Sequence, residues 1–597
     1  MFPSKVSRFL VLTSVALLFI VSYTTLYLYH SVPPSYPTAD SQVVPIQDAA
    51  PISEEPQVDY VATVAETTHE ILTPDLANPT SSPIPTVPDE GSSQEQSDKE
   101  LPTQELPVQE PSFQEPPAEE SSVQEPPIQQ PPAQQPPPPA YLDTGNDANA
   151  GASSQEELLP LPDPEVCPDD LKFLVRASID LELTERVRYT RRYIRPDFSG
   201  AVNRDEVANI TEPLIQGEVE VDLYDCGDVV IPSSAPIKLH VPNPHPDSTF
   251  EHLIFGIATD YDRLNDSISS FSHWISGTGA KIVAVVTDAK GKSSGQMGEL
   301  QHNFDIAGIN ATLVKPINES FTTSQNHFSV LINMFDFSSP ETKWYGLLDD
   351  DTFFPGSLKP LSDSLAALDH SVDAYVGALS EDFSAVRNFG FMAFGGAGAF
   401  LSAPLARKLA TQALNCINGA IGHEGDTILR DCVYTNSKAK LTILPDLHQQ
   451  DFRNDMSGWF EAGVRPLNLH HWKSWYKEPV EKMAKAAKFC GDCFLQRWRF
   501  GTDTVFSNGF SIATYRDGVE SVNLQLMEGT FDKAESRDYD FSVGPLRDAY
   551  DADQKKSYKL REAEFAENGD LRQLYVRVGN SSVGELDQVV ELIWQNH

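Results

Sequence analysis

The sequence predicts an α/β sandwich with a largely parallel sheet, followed by a β-rich C-terminal extension. Short, nearly continuous apolar runs at 253–258 and 282–287 have the pattern of strands covered on both faces. The segments around them carry helical spacing, and a later apolar run at 344–354 ends in three successive carboxylates, Asp349, Asp350 and Asp351. Strand, helix, strand, helix and an acidic strand end is the element order of that class.

Taken in order, the chain begins with Lys5 and Arg8 ahead of residues 9–29, a run of 21 uncharged residues long enough to cross a bilayer as a helix. No Lys or Arg follows until Lys99, so the positive flank is expected in the cytosol and everything after it on the other side. Residues 1–8 then form a cytosolic tail and 9–29 a membrane anchor. A cleaved signal peptide is the rival reading; the length of the run and the lack of an Ala-x-Ala site favour the anchor.

Residues 30–165 are rich in Pro, Gln, Glu and Ser, too poor in apolar side chains to offset the entropy of ordering, and read as a disordered stem. A Pro-rich docking tail is the alternative. The formal net charge of -42 argues against nucleic acid or an anionic membrane surface as partner. Much of it is local, since residues 31–170 hold 27 acidic residues against one lysine and leave -16 for the rest. The acidity therefore says little about the folded part.

Six cysteines, all beyond the anchor, suit disulfides in an oxidising compartment. Cys490 and Cys493 form a lone Cys-x-x-Cys with neither a thioredoxin-like setting nor a second ligand pair, so a structural role is expected. Sequons at Asn209, Asn265, Asn310, Asn318 and Asn580 agree with such a compartment.

An entry region, 166–247, shows strand-like alternation at 217–223. The α/β domain follows over 248–480. Helices are predicted over 264–274 and 324–335, the latter from Phe328, Leu331, Ile332 and Phe335 at i, i+3, i+4 and i+7. Further strands are expected at 375–379 and 441–444. Ser402 and Pro404 suit the start of a helix reaching Leu414. Beyond 480, Asn508-Gly509 between two β-like runs is a hairpin signal, placing a β-rich accessory region over 481–597.

Open α/β sheets bind ligands beyond the carboxyl ends of their strands. Burying one unpaired carboxylate is costly and three adjacent ones repel, so a positive partner is expected at 349–351, and a divalent cation would supply it. Alternation along an extended chain aims Asp349 and Asp351 to one side and Asp350 to the other, a two-oxygen grip on a hard metal. A solvated acidic turn is the other reading. The loop Thr259-Asp260-Tyr261-Asp262-Arg263 follows the first strand and faces the same crevice or forms a polar turn.

Gly395-Gly396-Ala397-Gly398 allows close backbone approach to a ligand or a tight bend. Asp426, in His423-Glu424-Gly425-Asp426-Thr427, is a helix cap or a carboxylate facing substrate. His470 and His471, beside Trp472 and Trp475, are core packing or a ligand for a Mn2+-type site.

In their order, the marks at 344–354, 395–402, 424–432 and 470–472 make the chain over about 253–475 resemble the Fringe-like family 31 glycosyltransferases, especially fungal and plant members carrying a Fringe-related domain. The resemblance implies a GT-A-like nucleotide-sugar-binding sandwich in a type II Golgi membrane enzyme with a luminal catalytic domain. It further implies Mn2+ as cofactor, a UDP-sugar as donor, a glycan or glycoprotein hydroxyl as acceptor, and inversion at the sugar carbon. Carried over residue by residue, Asp349 and Asp351 match the ends of the family's Asp-x-Asp, Asp350 its middle acid, and His471 its metal histidine, with His470 in the adjacent register. Asp426 matches the base, six residues before Cys432. Gly425 stands where the family often has Glu, which keeps Glu424 in play. Thr259, Asp260 and Arg263, with Asp349 and Asp350, would hold the donor. Two rival readings are a non-catalytic glycan-binding or scaffolding protein that retains the fold, and a metal-dependent glycan hydrolase, which needs two opposed carboxylates.

Overall fold

The computed structural model describes residues 161–198, 202–531 and 541–596. These residues all belong to one compact unit within 145–597. The expected tail, anchor and nearly all of the stem lie outside them. Among the described residues no helix is long and apolar enough to cross a membrane.

The expected fold class is the one found. A seven-stranded sheet is built from β1 (Leu253–Thr259), β2 (Lys281–Val286), β3 (Ala311–Val314), β4 (Trp344–Leu347), β5 (Tyr375–Gly377), β6 (Ala399–Ser402) and β7 (Leu441–Ile443). Its order is β7-β5-β6-β4-β1-β2-β3. The pairs β1–β2, β2–β3, β1–β4 and β5–β7 are parallel, while β6 runs antiparallel to both β4 and β5. Because β1 lies between β2 and β4, the connections leave it in opposite directions and open a crevice at its carboxyl end.

Every residue of β1 is buried, as an apolar run covered on two faces requires. Phe255 and Ile257 pack toward α2 (Ile268–Ile275) and α3 (Ser294–Ile306), through Phe271, Trp274, Leu300 and Phe304. Their alternates Ile254 and Ala258 pack toward α4 (Thr323–Asp336), α5 (Ala403–Gly419) and α6 (Gly425–Asn436), through Phe328, Leu331, Leu405 and Ile428. Each large apolar side chain so buried is worth roughly 1.5–3 kcal/mol. Both faces of the sheet are thereby closed, and polar groups collect at its carboxyl edge.

Three elements differ in detail from the sequence expectation. The helix over 264–274 is two helices, α1 (Tyr261–Asp266) and α2, because the Ser267 hydroxyl turns inward to the carbonyls of Arg263 and Asp350, 2.9 Å from each. The acids after β4 are not extended: Asp349–Thr352 is a turn, with the Thr352 N–H donating to the Asp349 carbonyl at 3.2 Å and the Asp349 N–H to Thr352 Oγ1 at 3.1 Å. The helix begun at Ala403 runs past Leu414 to Gly419.

The second sheet joins the two ends of the described chain. Arg186–Asp197 pairs in parallel with Asp587–Trp594, from Val187 opposite Asp587 to Ile194 opposite Trp594. The entry region and the C-terminal region, read as separate segments from sequence, are thus one β layer. The expected hairpin lies in it, Thr504–Ser507 against Ser511–Tyr515, with Gly509 at φ 81° in the turn. A helix absent from the sequence reading, Val480–Cys490, packs on the strand Lys555–Phe565 of this layer. The cysteines pair as Cys167–Cys226, Cys416–Cys432 and Cys490–Cys493.

Candidate active site

Three segments meet at the carboxyl edge of β4. The turn at 349–352 is tied to the segment at 469–472 by two backbone hydrogen bonds, Phe353 N–H to the Leu469 carbonyl at 2.8 Å and Leu469 N–H to the Phe353 carbonyl at 2.6 Å. Trp472 Nε1 donates to the Asp351 carbonyl at 2.9 Å. The third segment is the glycine run at 395–398, held by Thr352 Oγ1 donating to the Gly396 carbonyl at 3.0 Å and by Ala397 N–H donating to Gln449 Oε1 at 3.0 Å.

This framework sets His470 between the two outer acids. Its Nε2 lies 3.3 Å from Asp351 Oδ1 and 3.5 Å from Asp349 Oδ2, and its Nδ1–H donates to the Gln449 carbonyl at 2.8 Å. A carbonyl on one ring nitrogen orients the other as a metal ligand. Gly396 makes room for the ring: a Cβ there would sit 2.0 Å from His470 Cε1. The close approach that the glycines allow is therefore to a side chain of the site.

His471, the residue that the resemblance designates, stands beside His470 and also contacts a further acid. Its Nε2 is 3.2 Å from Asp451 Oδ1, and its ring stacks on Trp475 at 3.9 Å. With φ at 61° it occupies the left-handed region, which costs a non-glycine residue about 1 kcal/mol or more and turns consecutive imidazoles to the same side of the chain. The ring centroids of His470 and His471 are consequently 3.7 Å apart. Asp351, His470 and His471 each place a ligand atom within 4.8 Å of the others.

The electrostatics follow from burial. Burial disfavours charge on Asp349 and Asp351, but the adjacent His470 outweighs it and holds both carboxyls below their ordinary range. In return, burial would lower the His470 imidazole, yet Asp351 and Asp349 lift it well above its usual value. Burial and the charge of His470 lower His471. A buried carboxylate, Asp351, and a half-buried one, Asp349, facing imidazole nitrogens form a hard donor set that fits a divalent ion of the Mn2+ type, which would take over the compensation His470 now supplies.

Asp350 turns the other way. Arg263 grips it with both prongs, Nε to Oδ2 at 2.6 Å and Nη2 to Oδ1 at 2.5 Å, and the Thr259 hydroxyl donates to Oδ2 at 2.6 Å. Asp260 caps α1, its Oδ1 accepting from Arg263 N–H at 3.0 Å. Thr259, Asp260, Arg263 and Asp350, expected to contact the donor, thus direct these polar groups at one another and brace the acidic turn against β1.

Asp426 lies in the first turn of α6, and Glu424, the N-cap residue, is exposed. Asp426 Oδ2 accepts from the Gly395 N–H at 2.8 Å, so the side chain points back under the glycine run. Burial pushes its carboxyl up to about 6, and the charge of Asp349 adds to this while His327 and the Gly395 N–H act against it. The Cys416–Cys432 disulfide ties α6 to α5 six residues beyond Asp426.

The sequence reading assigned no role to His327, which lies beside this acid, or to Asp451, which faces His471. A signal for His327 was present: it sits four residues before Leu331 on the apolar face of its helix, where a histidine is out of pattern.

Residues 308–457 match the Fringe-like family, and residues 386–588 match a family described as protein of unknown function, DUF604. No curated protein matches the chain. Among solved structures the chain is similar to the glycosyltransferase GlyE of Streptococcus pneumoniae, with 18% identity over 32% of this chain and 45% of that one and a TM-score of 0.23. It is similar also to the mannosyltransferase PcManGT of Pyrobaculum calidifontis in complex with GDP-Man and Mn2+, with 11% identity, 42% and 73% coverage and a TM-score of 0.24. A third is mouse xyloside xylosyltransferase 1, with 10% identity, 33% and 85% coverage and a TM-score of 0.23. The chain spans less than half the length of the first of these, and such scores transfer neither substrate nor mechanism.

Proposed function

From a chain whose residues 308–457 are Fringe-like, we propose a glycosyltransferase that moves a sugar from a UDP-sugar to a hydroxyl of a glycan or glycoprotein, with inversion and dependence on Mn2+. The observation that carries the reading is that one glycine run gathers the two parts of the site: Asp426 meets it at Gly395, and His470, which faces Asp349 and Asp351, meets it at Gly396. An anchored enzyme acting in the Golgi lumen is the setting proposed from residues 5–29.

In this reading Asp351 and His470 hold the metal, with Asp349 and His471 beside them. A bound divalent ion would neutralise the charge growing on the departing diphosphate. The bracing of Asp350 by Arg263 and Thr259 compensates the middle charge and fixes the acidic turn. Asp426 removes the acceptor's hydroxyl proton as that oxygen attacks the sugar carbon, and its ionised form is the working one. Direct displacement needs one such base and no carboxylate nucleophile.

The test is release of UDP by the full chain from a panel of UDP-sugars, with Mn2+ or with chelator, alongside Asp351→Asn. Metal-dependent release from a donor, lost in the variant, is the expected result. No turnover and no binding of UDP with Mn2+ would overturn the reading in favour of a non-catalytic protein.

A further inference from the structure

His327 lies between the two halves of the site. It sits on α4, is 7% exposed, and its Nε2 has no hydrogen-bond partner among the described residues. That nitrogen points at Asp349 Oδ1, 3.4 Å away. The other oxygen of the same carboxylate, Oδ2, faces His470. The Asp349 side chain is 41% exposed, so burial alone does not hold its orientation.

Two glycines make space for this imidazole. A Cβ at Gly425 would lie 2.9 Å from His327 Nδ1, and one at Gly395 would lie 3.3 Å from His327 Cε1 and 2.5 Å from Asp426 Oδ1. The ring therefore fills the gap between the acid proposed as base and the acid proposed for the metal. A merely packed core histidine would have its second nitrogen capped by a carbonyl or hydroxyl, since a buried polar atom left unpaired costs about 1–3 kcal/mol. Among the described residues, the acid that faces it is a carboxylate of the site, Asp349.

We infer that His327 is a positioning residue: its Nε2–H anchors one oxygen of Asp349, so that the other is presented to the metal and the carboxylate stays apart from Asp426. The inference rests on the metal-dependent reading of the site. The 3.4 Å separation is long for such a bond, as hydrogen bonds in unloaded sites commonly are.

The experiment is titration of the full chain with Mn2+ alone, followed by electron paramagnetic resonance, for the unsubstituted protein and for His327→Leu, His327→Asn and His327→Gln. Leu retains bulk without a donor, Asn is too short to reach, and Gln returns an N–H near the Nε2 position. Loss of such an outer partner weakens metal binding about 10- to 100-fold, expected for Leu and Asn, with Gln restoring most of it. Should Leu fail to fold, Asn against Gln decides. Unchanged Mn2+ affinity in Leu and Asn, while Asp351→Asn loses it, would overturn the inference, as would a Gln variant as weak as Asn. If the unsubstituted chain binds no Mn2+, the metal reading itself falls and takes this inference with it.

Discussion

Phe353 and Leu469 exchange a pair of backbone hydrogen bonds, and this bridge puts His470 against Asp351. The acids arrive on a strand end and the histidine on a segment more than a hundred residues later. One antiparallel bridge sets their register, so the site's geometry is sensitive to small displacements nearby.

Gly396→Ala is the mildest such displacement. The added methyl would fall 2.0 Å from His470 Cε1, so the ring must leave its place between Asp349 and Asp351. Mn2+ affinity is expected to fall about tenfold or more, the cost of disturbing a ligand's orientation. Titration with Mn2+ checks this. An unchanged affinity would place the metal away from His470.

Asp426→Asn tests the base. The kcat for transfer is expected to fall about 10²- to 10⁴-fold, with binding of UDP and Mn2+ retained. In the unsubstituted protein the carboxyl, pushed up to about 6 by burial, is protonated below that value and ionised above it. The rate should therefore rise with pH through about 6 and level off. The stability sign is opposite: a carboxyl whose folded pKa exceeds its unfolded value stabilises the fold at low pH, and that contribution is lost as pH rises through about 6. At neutral pH the Asn variant should consequently melt no lower than the unsubstituted chain.

Arg263→Ala removes the fork from a buried carboxylate. Asp350 would keep the Thr259 hydroxyl as its side-chain donor. Because the guanidinium is 63% exposed, the loss is expected at about 1–2 kcal/mol, below that of a fully buried pair. Denaturant unfolding of Arg263→Ala, Asp350→Asn and the double variant checks it. A double-variant loss smaller than the sum identifies the pair as a brace, whereas an unaltered stability with a raised donor KM would make Arg263 a donor contact.

The Cys416–Cys432 disulfide closes a short loop between α5 and α6. Replacing both cysteines by serine should cost about 3 kcal/mol of stability. As Asp426 opens the same helix, the variant is also expected to lose kcat more than Mn2+ affinity. Equal losses would show that the tie supports the whole site rather than the base.

What the sequence determined was local. Unbroken apolar runs bury strands on both faces, helical spacing places Phe328 and Leu331 on one face, and an Asn-Gly pair turns a hairpin, because each depends on near neighbours along the chain. The acids Asp349, Asp351 and Asp426 stood out for the same reason, as charges interrupting or opening apolar elements. The tertiary structure decided how His470 and His471 are set beside the acids, why Gly395, Gly396 and Gly425 carry no side chain, where Asp350 turns, and that the entry region closes a sheet with the far end of the chain. Each of these depends on contacts between residues distant in sequence. The positive φ at His471, which sets how its imidazole and that of His470 face, persists because the surrounding packing holds it.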